Sequence, residues 1–167
     1  MTEPIHTTDQ AAEDTAYMQQ ALSLAAEAAA QDEVPVGALI VHRGEVIATA
    51  YNTREASRCA THHAEILAIE AACRRLGGWR LPDCTLYVTL EPCPMCAGAT
   101  VNARIDRVVY AAPDLRAGAF GSVVDLNTLP LNHKPHITRG VCCEESQQVL
   151  SAYFRAKRKK KAEQPTE

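Results

Sequence analysis

Two short motifs bring metal-binding side chains to the expected starts of two helices. The first is HAE (His63–Glu65), and the second is CPMC (Cys93–Cys96), which follows an apolar, strand-like run. A spacing of three places both cysteines on one face of a first helical turn. Three histidine or cysteine ligands leave one tetrahedral position of zinc open, as in catalytic sites. The sequence therefore predicts one zinc ion (Zn2+) per chain, bound by His63, Cys93 and Cys96, that activates a water molecule.

Glu65 lies two residues beyond the predicted ligand His63. We expect its carboxylate beside the open position rather than among the ligands, where it can take a proton from the activated water and pass it to a substrate. The positive end of a helix dipole and its free N–H groups also lower the pKa of nearby thiols. The motifs therefore predict two thiolate ligands and a catalytic carboxylate, Glu65.

Two other interpretations of the cysteine pair remain open. A CxxC pair after a strand is also typical of redox-active thiols, although that gives no role to His63 or Glu65. A closed structural zinc site needs a fourth ligand, for which His62, Cys59 and Cys84 are available. HxE alone is a weak signal, whereas HAE followed by PCxxC on a second helix is a strong one.

The elements that must position these motifs alternate between helices and strands. We predict a helix over about residues 12–31, strands over Val36–Val41 and Val46–Ala50, a helix over His63–Leu76, a strand over Thr85–Leu90, a short helix to about Asn102, strands over Arg107–Ala111 and Ile137–Val141, and a final helix from near Glu144. Residues 51–62 and 112–136 are predicted loops. This alternation indicates a layered α/β domain.

Length and composition favour one domain in a reducing compartment. The chain has 167 residues, of which 47% are apolar, and no run of about 18 apolar residues that would span a membrane. An odd count of seven cysteines and a polar N-terminus argue against a secreted, disulfide-bonded protein. We expect a cytoplasmic protein with a disordered segment at residues 1–9, a single zinc domain at 10–156 and a basic tail at 157–167.

Charge is divided unevenly along the chain. Residues 1–150 carry 11 basic and 18 acidic side chains, whereas residues 151–167 carry 6 basic and 2 acidic ones. All six basic residues of the tail lie within RAKRKKK (Arg155–Lys161). A basic patch on an acidic body is typical of proteins that bind an anionic partner. The other interpretation is a solvated helix end, where lysine and arginine favour the negative end of the dipole.

The motifs resemble the zinc signature of the cytidine/nucleoside deaminase superfamily, H-x-E followed by P-C-x-x-C. Within it, the sequence resembles the family of tRNA adenosine deaminases, which convert a wobble adenosine to inosine. The resemblance covers about residues 12–161 and rests on these segments in order: VPVGALIV, HHAEILAI, TLYVTLEPCPMCAGA, RVVYAAPD, AGAFGSVVDL, LNHKPHITRGV and AYFRAKRKKK.

The resemblance implies a three-layer α/β/α cytidine-deaminase-like fold with a central five-stranded mixed sheet. It implies His63, Cys93 and Cys96 as zinc ligands and Glu65 as the proton shuttle. It also implies that Asn52 hydrogen-bonds the bound nucleoside. The expected reaction is hydrolytic deamination, in which adenosine becomes inosine and ammonia is released.

The partner implied by the resemblance is the anticodon loop of tRNA, bound across the interface of a homodimer. A base in a duplex is out of reach of such a site, whereas an anticodon loop presents a splayed base. Arg155, Lys157 and Arg158 are the expected RNA contacts of the basic tail. Asp114 follows the fourth strand and is a candidate acceptor for a ribose 2′-hydroxyl, or a simple turn residue.

The chain departs from the family pattern at two places. His62 stands beside the ligand histidine where the family has a small residue, and Cys142-Cys143 is an unusual pair that we expect to pack at a helix entrance. Two rival functions stay open. Guanine deaminases also show HAE and EPCPMC, and a catalytically silent zinc protein could serve as a scaffold for RNA. The basic tail favours an RNA enzyme over the first, and Glu65 argues against the second.

Overall fold

The computed structural model describes residues 7–164. Its elements, in chain order, are α1 (Thr7–Ala30), β1 (Gly37–His42), β2 (Glu45–Tyr51), α2 (Arg54–Ser57), α3 (Ala64–Leu76), β3 (Cys84–Leu90), α4 (Pro94–Asn102), β4 (Arg107–Ala112), a short 3-10 helix (Leu126–Thr128), β5 (His136–Arg139) and α5 (Cys143–Glu163). The predicted strands and long helices are all present. Within this range, no helix combines the length and apolar character needed to cross a membrane.

The strands form one mixed sheet in the order β2-β1-β3-β4-β5. β1 is antiparallel to both β2 and β3, whereas β3, β4 and β5 run parallel to one another. Leu90 and Ala112 are paired at the carboxyl-terminal ends of β3 and β4. In open α/β sheets, ligands bind beyond such carboxyl-terminal ends, so this edge is where a site is expected.

Both faces of the sheet are covered, because successive side chains of a strand point to opposite sides. On β1, Ala38 and Ile40 belong to a cluster with the buried side of α3, while Leu39 and Val41 pack with Met18 of α1. Helix α5 packs against β4 and α1, and α4 packs against α3. These contacts confirm the three-layer α/β/α fold with a five-stranded mixed sheet.

Three boundaries differ from the predictions. Residues 7–9, expected to be disordered, begin α1, and the acidic Asp9 lies in its first turn, where it favours the helix dipole. The expectation for residues 1–6 lies outside the described residues. The predicted loop 51–62 contains α2, and α5 continues to Glu163 without a break at the predicted tail boundary, residue 157. These helices begin or continue on the protein surface, so their polar composition did not distinguish them from loops or disordered segments.

A buried ion pair fastens α1 to the sheet. Arg107 donates to Asp14 Oδ2 at 2.6 Å and to the hydroxyl of Thr138 at 2.9 Å, and the Tyr87 hydroxyl donates to Asp14 Oδ1 at 2.7 Å. Burial by itself raises the pKa of Asp14, but the hydrogen bonds from Arg107 and Tyr87 outweigh it and hold the pKa below 3.8. One carboxylate therefore joins α1 to β3 and β4.

We expect Asp14→Asn to lower the free energy of unfolding at pH 7 by about 3 kcal/mol, because it leaves Arg107 half-buried without its partner. A depressed pKa contributes stability above the unfolded-state value and loses it as pH falls through the folded-state value. The difference in free energy of unfolding between Asp14→Asn and the native protein should therefore become smaller below about pH 4. Urea unfolding at pH 7 and pH 3 measures both, with Glu13→Gln, an exposed neighbour on α1, as control. A constant difference at both pH values would contradict the assignment.

Candidate metal centre

Two helix starts meet at the carboxyl-terminal edge of β3. His63 is the N-cap residue of α3 and Cys93 is the N-cap residue of α4, both with extended backbone. Pro94 follows at the first helical position, where its missing N–H costs nothing. Cys96 lies one turn into α4 and is fully buried. The sequence HAE and CPMC therefore fold so that all three predicted ligands converge.

The distances between ligand atoms suit a tetrahedral metal ion. His63 Nδ1 lies 3.7 Å from Cys93 Sγ and 3.6 Å from Cys96 Sγ, and the three atoms are all within 4.8 Å of one another. With usual zinc–sulfur and zinc–nitrogen bonds, tetrahedral geometry separates nitrogen and sulfur by about 3.6 Å. The donor set and its spacing therefore fit zinc.

The alternative of a closed, four-ligand site finds no support among residues 7–164. The one group of three or more metal-binding side chains in this range is His63, Cys93 and Cys96. Cys59 instead hydrogen-bonds the Thr61 hydroxyl at 3.4 Å, and Cys84 is buried at the opposite end of β3. Three protein ligands leave one coordination position for water or substrate.

The two thiols have different pKa values. Hydrogen bonds from Cys96 and His63 lower the pKa of the Cys93 thiol to about 4. The hydrogen bond to Cys93 and burial raise the pKa of Cys96, and the hydrogen bond to Cys93 raises the pKa of His63. Thiolates are the form of cysteine that binds zinc, so binding of the ion here would release the proton that Cys96 holds.

Glu65 lies in the first turn of α3 and is only 4% exposed. Burial is the main reason why the pKa of its carboxyl is raised to about 7; the nearby Cys93 charge acts in the same direction, whereas His63 opposes the shift. A group with a pKa near neutral exchanges protons efficiently at physiological pH. Glu65 is therefore suited to accept and donate protons beside the three ligands.

A cavity of about 110 Å³ opens directly onto this cluster. His63, Glu65 and Cys93 line it together with both predicted substrate residues, Asn52 and Asp114. The rest of its wall consists of apolar side chains from the segment before β1 and the end of β3, together with Arg54 and Glu91. The structure thus gathers residues from five separate segments of the chain around one small chamber.

The two predicted substrate residues are held in different ways. The Asn52 backbone N–H donates to Val36 O at 3.0 Å, which fixes the residue directly after β2. Asp114 Oδ1 accepts from the backbone N–H groups of Arg116 and Ala117 at 3.0 and 3.2 Å. Asp114 therefore stabilises a turn and also lines the cavity, so the two interpretations of this residue are compatible.

Glu91 is a site residue that the sequence analysis missed. It is 1% exposed and accepts hydrogen bonds from the backbone N–H groups of Asp114, Phe120 and Ser122 and from the Ser122 hydroxyl. A Cβ atom on Gly118 would overlap the Glu91 carboxylate. Glu91 thus fastens the AGAFGS segment (residues 117–122) next to Cys93. The sequence did contain an indication of this role, because the acidic Glu91 directly follows an apolar run in the segment TLYVTLE.

A larger groove of about 670 Å³ adjoins the cavity and shares Val34, Leu90 and Asp114 with it. Of the predicted RNA contacts, Arg155 and Arg158 line this groove beside Phe154, which is 43% exposed. The third predicted contact, Lys157, lies elsewhere, and its interactions follow below. The cavity beside the predicted metal ligands is therefore continuous with a groove along one side of α5.

Lys157 is engaged with the body of the protein. Its ammonium donates to Asp32 Oδ1 at 3.3 Å and to the Tyr153 hydroxyl at 3.2 Å, while the Tyr153 hydroxyl donates to Asp32 O at 3.1 Å. Asp32 follows the end of α1, so these contacts hold α5 against that helix. This finding argues for a structural role of Lys157.

His62 and the vicinal cysteines lie outside the cavity wall. The His62 backbone N–H donates to Cys59 O, and its carbonyl accepts from the Thr53 N–H. His62 is thus part of a closed turn that precedes the ligand histidine. Cys142 packs against the core cluster around α1 and is the N-cap residue of α5.

Comparisons with known proteins identify the family of this chain. The pattern of the MafB19-like deaminase family matches residues 12–158. The tRNA-specific adenosine deaminase of Bacillus subtilis (strain 168) is 47% identical over 150 residues, which cover 89% of this chain and 93% of that protein. The chain belongs to the tRNA-specific adenosine deaminase family. The resemblance of the HAE and CPMC motifs to this family is thereby confirmed.

Solved structures place the family fold in a wider group. A structure from studies of A-to-I editing by tRNA:A34 deaminases at the wobble position of transfer RNA superimposes with a TM-score of 0.80 at 44% identity and covers 81% of this chain and 99% of its own. A guanine deaminase from Nitrosomonas europaea gives a TM-score of 0.72 at 29% identity, with 84% of each chain covered. The fold alone therefore serves deaminases of different bases.

Proposed function

We propose that this protein is a zinc-dependent hydrolase that converts adenosine to inosine at the wobble position of tRNA and releases ammonia. The proposal rests on one observation: the His63, Cys93 and Cys96 cluster opens into a cavity that also contains Glu65 and a nucleoside-binding candidate, Asn52. The name and high coverage of the Bacillus subtilis relative support the same reaction. We place this enzyme in the cytoplasm and assign residues 10–156 to its deaminase domain, with the basic end of α5 as its tail.

Each residue of the cavity has a distinct task in the proposed reaction. His63, Cys93 and Cys96 would hold the zinc ion, which would supply an activated water molecule for attack at C6 of adenine. Glu65 accepts one proton from that water and donates it to N1 of the ring; it then takes the second proton from the oxygen added at C6 and delivers it to the amine as the C6–N bond breaks. Asn52 holds the nucleoside by hydrogen bonds, and the apolar wall excludes bulk water. Adenosine and water are consumed, and inosine and ammonia leave.

The adjoining groove suits the nucleotides that flank the reacting base. A single-stranded or looped substrate is required because the base must leave its stack to reach the cavity. Arg116, Arg155 and Arg158 offer cations to phosphates, and Phe154 offers a ring for stacking. A homodimer with RNA across its interface is the assembly implied by the family, and exposed apolar residues such as Val123 are available for it.

We expect the double variant Arg155→Gln/Arg158→Gln to bind an anticodon stem-loop about tenfold more weakly, because two groove-lining phosphate contacts are lost. The slope of log Kd against log salt should fall by about 1.4, since each single-strand contact contributes about 0.7. Fluorescence anisotropy at several salt concentrations measures both. The matched control is Lys159→Gln/Lys160→Gln, which removes equal charge outside the groove. Equal losses in both variants would show that the tail acts by unspecific charge.

The function is tested by incubating the purified protein with bulk tRNA and with a synthetic anticodon stem-loop. Inosine at the wobble position and stoichiometric ammonia are the expected products. Guanine deamination is the second candidate, because the Nitrosomonas europaea enzyme shares the fold. Activity on guanine without activity on the stem-loop would favour that candidate. Zinc held by four protein ligands, with no turnover of either substrate, would favour a scaffold.

A further inference from the structure

A buried carboxylate holds the short helix α2 in place beside the cavity. Glu33 is 1% exposed, and its two oxygens accept hydrogen bonds from the backbone N–H groups of Glu55 and Ala56 at 3.2 and 2.7 Å. The Thr53 N–H closes the same segment by donating to His62 O at 3.2 Å. Helix α2 is therefore fixed both to the segment after α1 and to the residue before the ligand histidine.

This helix carries an arginine to the cavity wall. Arg54 is the first residue of α2 and lines the cavity with Asn52 and the ligands His63 and Cys93. Arg54 therefore shares the cavity wall with two of the three predicted metal ligands.

No acidic side chain within the described part of the chain forms an ion pair with the Arg54 guanidinium. The Arg54 side chain is exposed. Surface arginines commonly pair with carboxylates, and residues 1–150 carry an excess of acidic side chains. A cation kept free on a rigid turn beside a nucleoside cavity suits an anionic group of the ligand, and guanidinium matches phosphate geometry in a bidentate manner.

We propose that Arg54 binds a backbone phosphate adjacent to the adenosine that enters the cavity, and that Glu33 is the positioning residue for this contact. The inference rests on the proposed function and adds a determinant of substrate class. A nucleotide within an RNA chain carries a phosphate on each side, whereas a free nucleobase carries none. Arg54 therefore favours a polynucleotide over a free base at the cavity itself, independently of the groove along α5.

The first test compares Arg54→Gln with Arg58→Gln, an exposed arginine at the other end of α2 that does not line the cavity. Single-turnover deamination of a stem-loop, at varied protein concentration, separates half-saturation from the maximal rate. We expect Arg54→Gln to raise the half-saturating concentration about tenfold, with the maximal rate within about twofold of native, and to lower the salt slope by about 0.7. Arg58→Gln should behave like the native protein. Equal behaviour of the two variants would overturn the proposal.

The second test removes the phosphate charge instead of the arginine. Stem-loops with a neutral methylphosphonate immediately 5′ or immediately 3′ of the target adenosine are compared with unmodified RNA. One of the two should weaken binding to the native protein about tenfold and leave Arg54→Gln unaffected, because the contact is already lost there. If Arg54→Gln stays as sensitive as the native protein at both positions, Arg54 contacts neither phosphate and the proposal fails.

The role of Glu33 is tested by a double-mutant cycle. Glu33→Gln replaces one acceptor by an amide nitrogen, which cannot accept the N–H groups of α2. Glu33→Gln should raise the half-saturating concentration in the native background but cause no further increase in the Arg54→Gln background. A general loss of structure would instead raise the half-saturating concentration in both backgrounds. Circular dichroism melting checks that each variant folds. Conversion of the unmodified stem-loop by the native protein tests the proposed function separately. A native protein without activity would refute the proposed function, whereas an active native protein with an unaffected Arg54→Gln variant would refute only the role of Arg54.

Discussion

Glu65→Ala is expected to lower the rate of deamination about 10²- to 10⁴-fold while zinc remains bound at about one ion per chain. Proton transfer by a positioned side chain contributes about this factor. The three ligand atoms, which come from His63, Cys93 and Cys96, do not include the Glu65 carboxylate. Single-turnover rates on a stem-loop and zinc content by mass spectrometry measure the two consequences separately.

The matched control is Glu70→Ala, which removes an exposed carboxylate from the same helix, α3. It should leave both the rate and the zinc content near native values. Glu65→Ala with a tenth or more of the native rate would remove this residue from the mechanism. Loss of zinc from Glu65→Ala would instead assign the carboxylate to the ligand set.

The pH profile follows from the same residue. Burial places the pKa of Glu65 at about 7, and the charged form must be present to accept a proton from water. The rate should therefore fall as pH decreases through the pKa of this carboxyl. A bound cation favours the carboxylate, so the acidic limb is expected at or below about pH 7. In Glu70→Ala, the limb should stay where it is in the native protein.

Cys96→Ser is expected to weaken zinc binding by more than about a hundredfold and to abolish turnover. Substitution of residues that merely support a metal ligand costs about 10- to 100-fold in affinity, and loss of a ligand should exceed that. A serine hydroxyl stays protonated at neutral pH, whereas zinc requires the thiolate of this buried residue. Competition with a chromophoric chelator at about pH 7.5 measures the zinc affinity.

Cys59→Ser serves as the control and also tests the closed-site alternative. Cys59 lies outside the ligand cluster and contacts the Thr61 hydroxyl instead. Its replacement should leave zinc at one ion per chain and the rate unchanged. A marked loss of zinc from Cys59→Ser would indicate a fourth protein ligand and a structural site.

The local chemistry of the centre follows from the sequence. Each predicted ligand lies at or near a helix start that short-range signals predict. These signals are an apolar run ending at Leu90, Pro94 at a first helical position, and Gly77 directly after the last residue of α3. Such signals depend on neighbours within a few residues, so they can be evaluated without the fold. The spacing of Cys93 and Cys96 predicted two ligands, and HAE predicted the third together with the carboxylate of Glu65.

The strand order and the buried carboxylates required the tertiary structure. Glu91 and Glu33 accept hydrogen bonds from backbone groups about 20 to 30 residues away. Almost every residue has a backbone N–H group, so the residue type does not indicate which acceptor that group meets. The parallel pairing of β3 with β4, which brings Leu90 beside Ala112, is likewise a long-range contact. No periodicity of the chain contains that information.

The sequence by itself predicted His63, Cys93 and Cys96 as zinc ligands and Glu65 as the carboxylate beside them, because ligand type and spacing are local properties. It did not distinguish Lys157 from Arg155 and Arg158, since all three belong to one basic run. Only the packing of α5 on α1 turns Lys157 toward Asp32 and leaves the two arginines along the groove. The same packing connects that groove to the metal cavity, because continuity between surfaces depends on how distant segments meet in space.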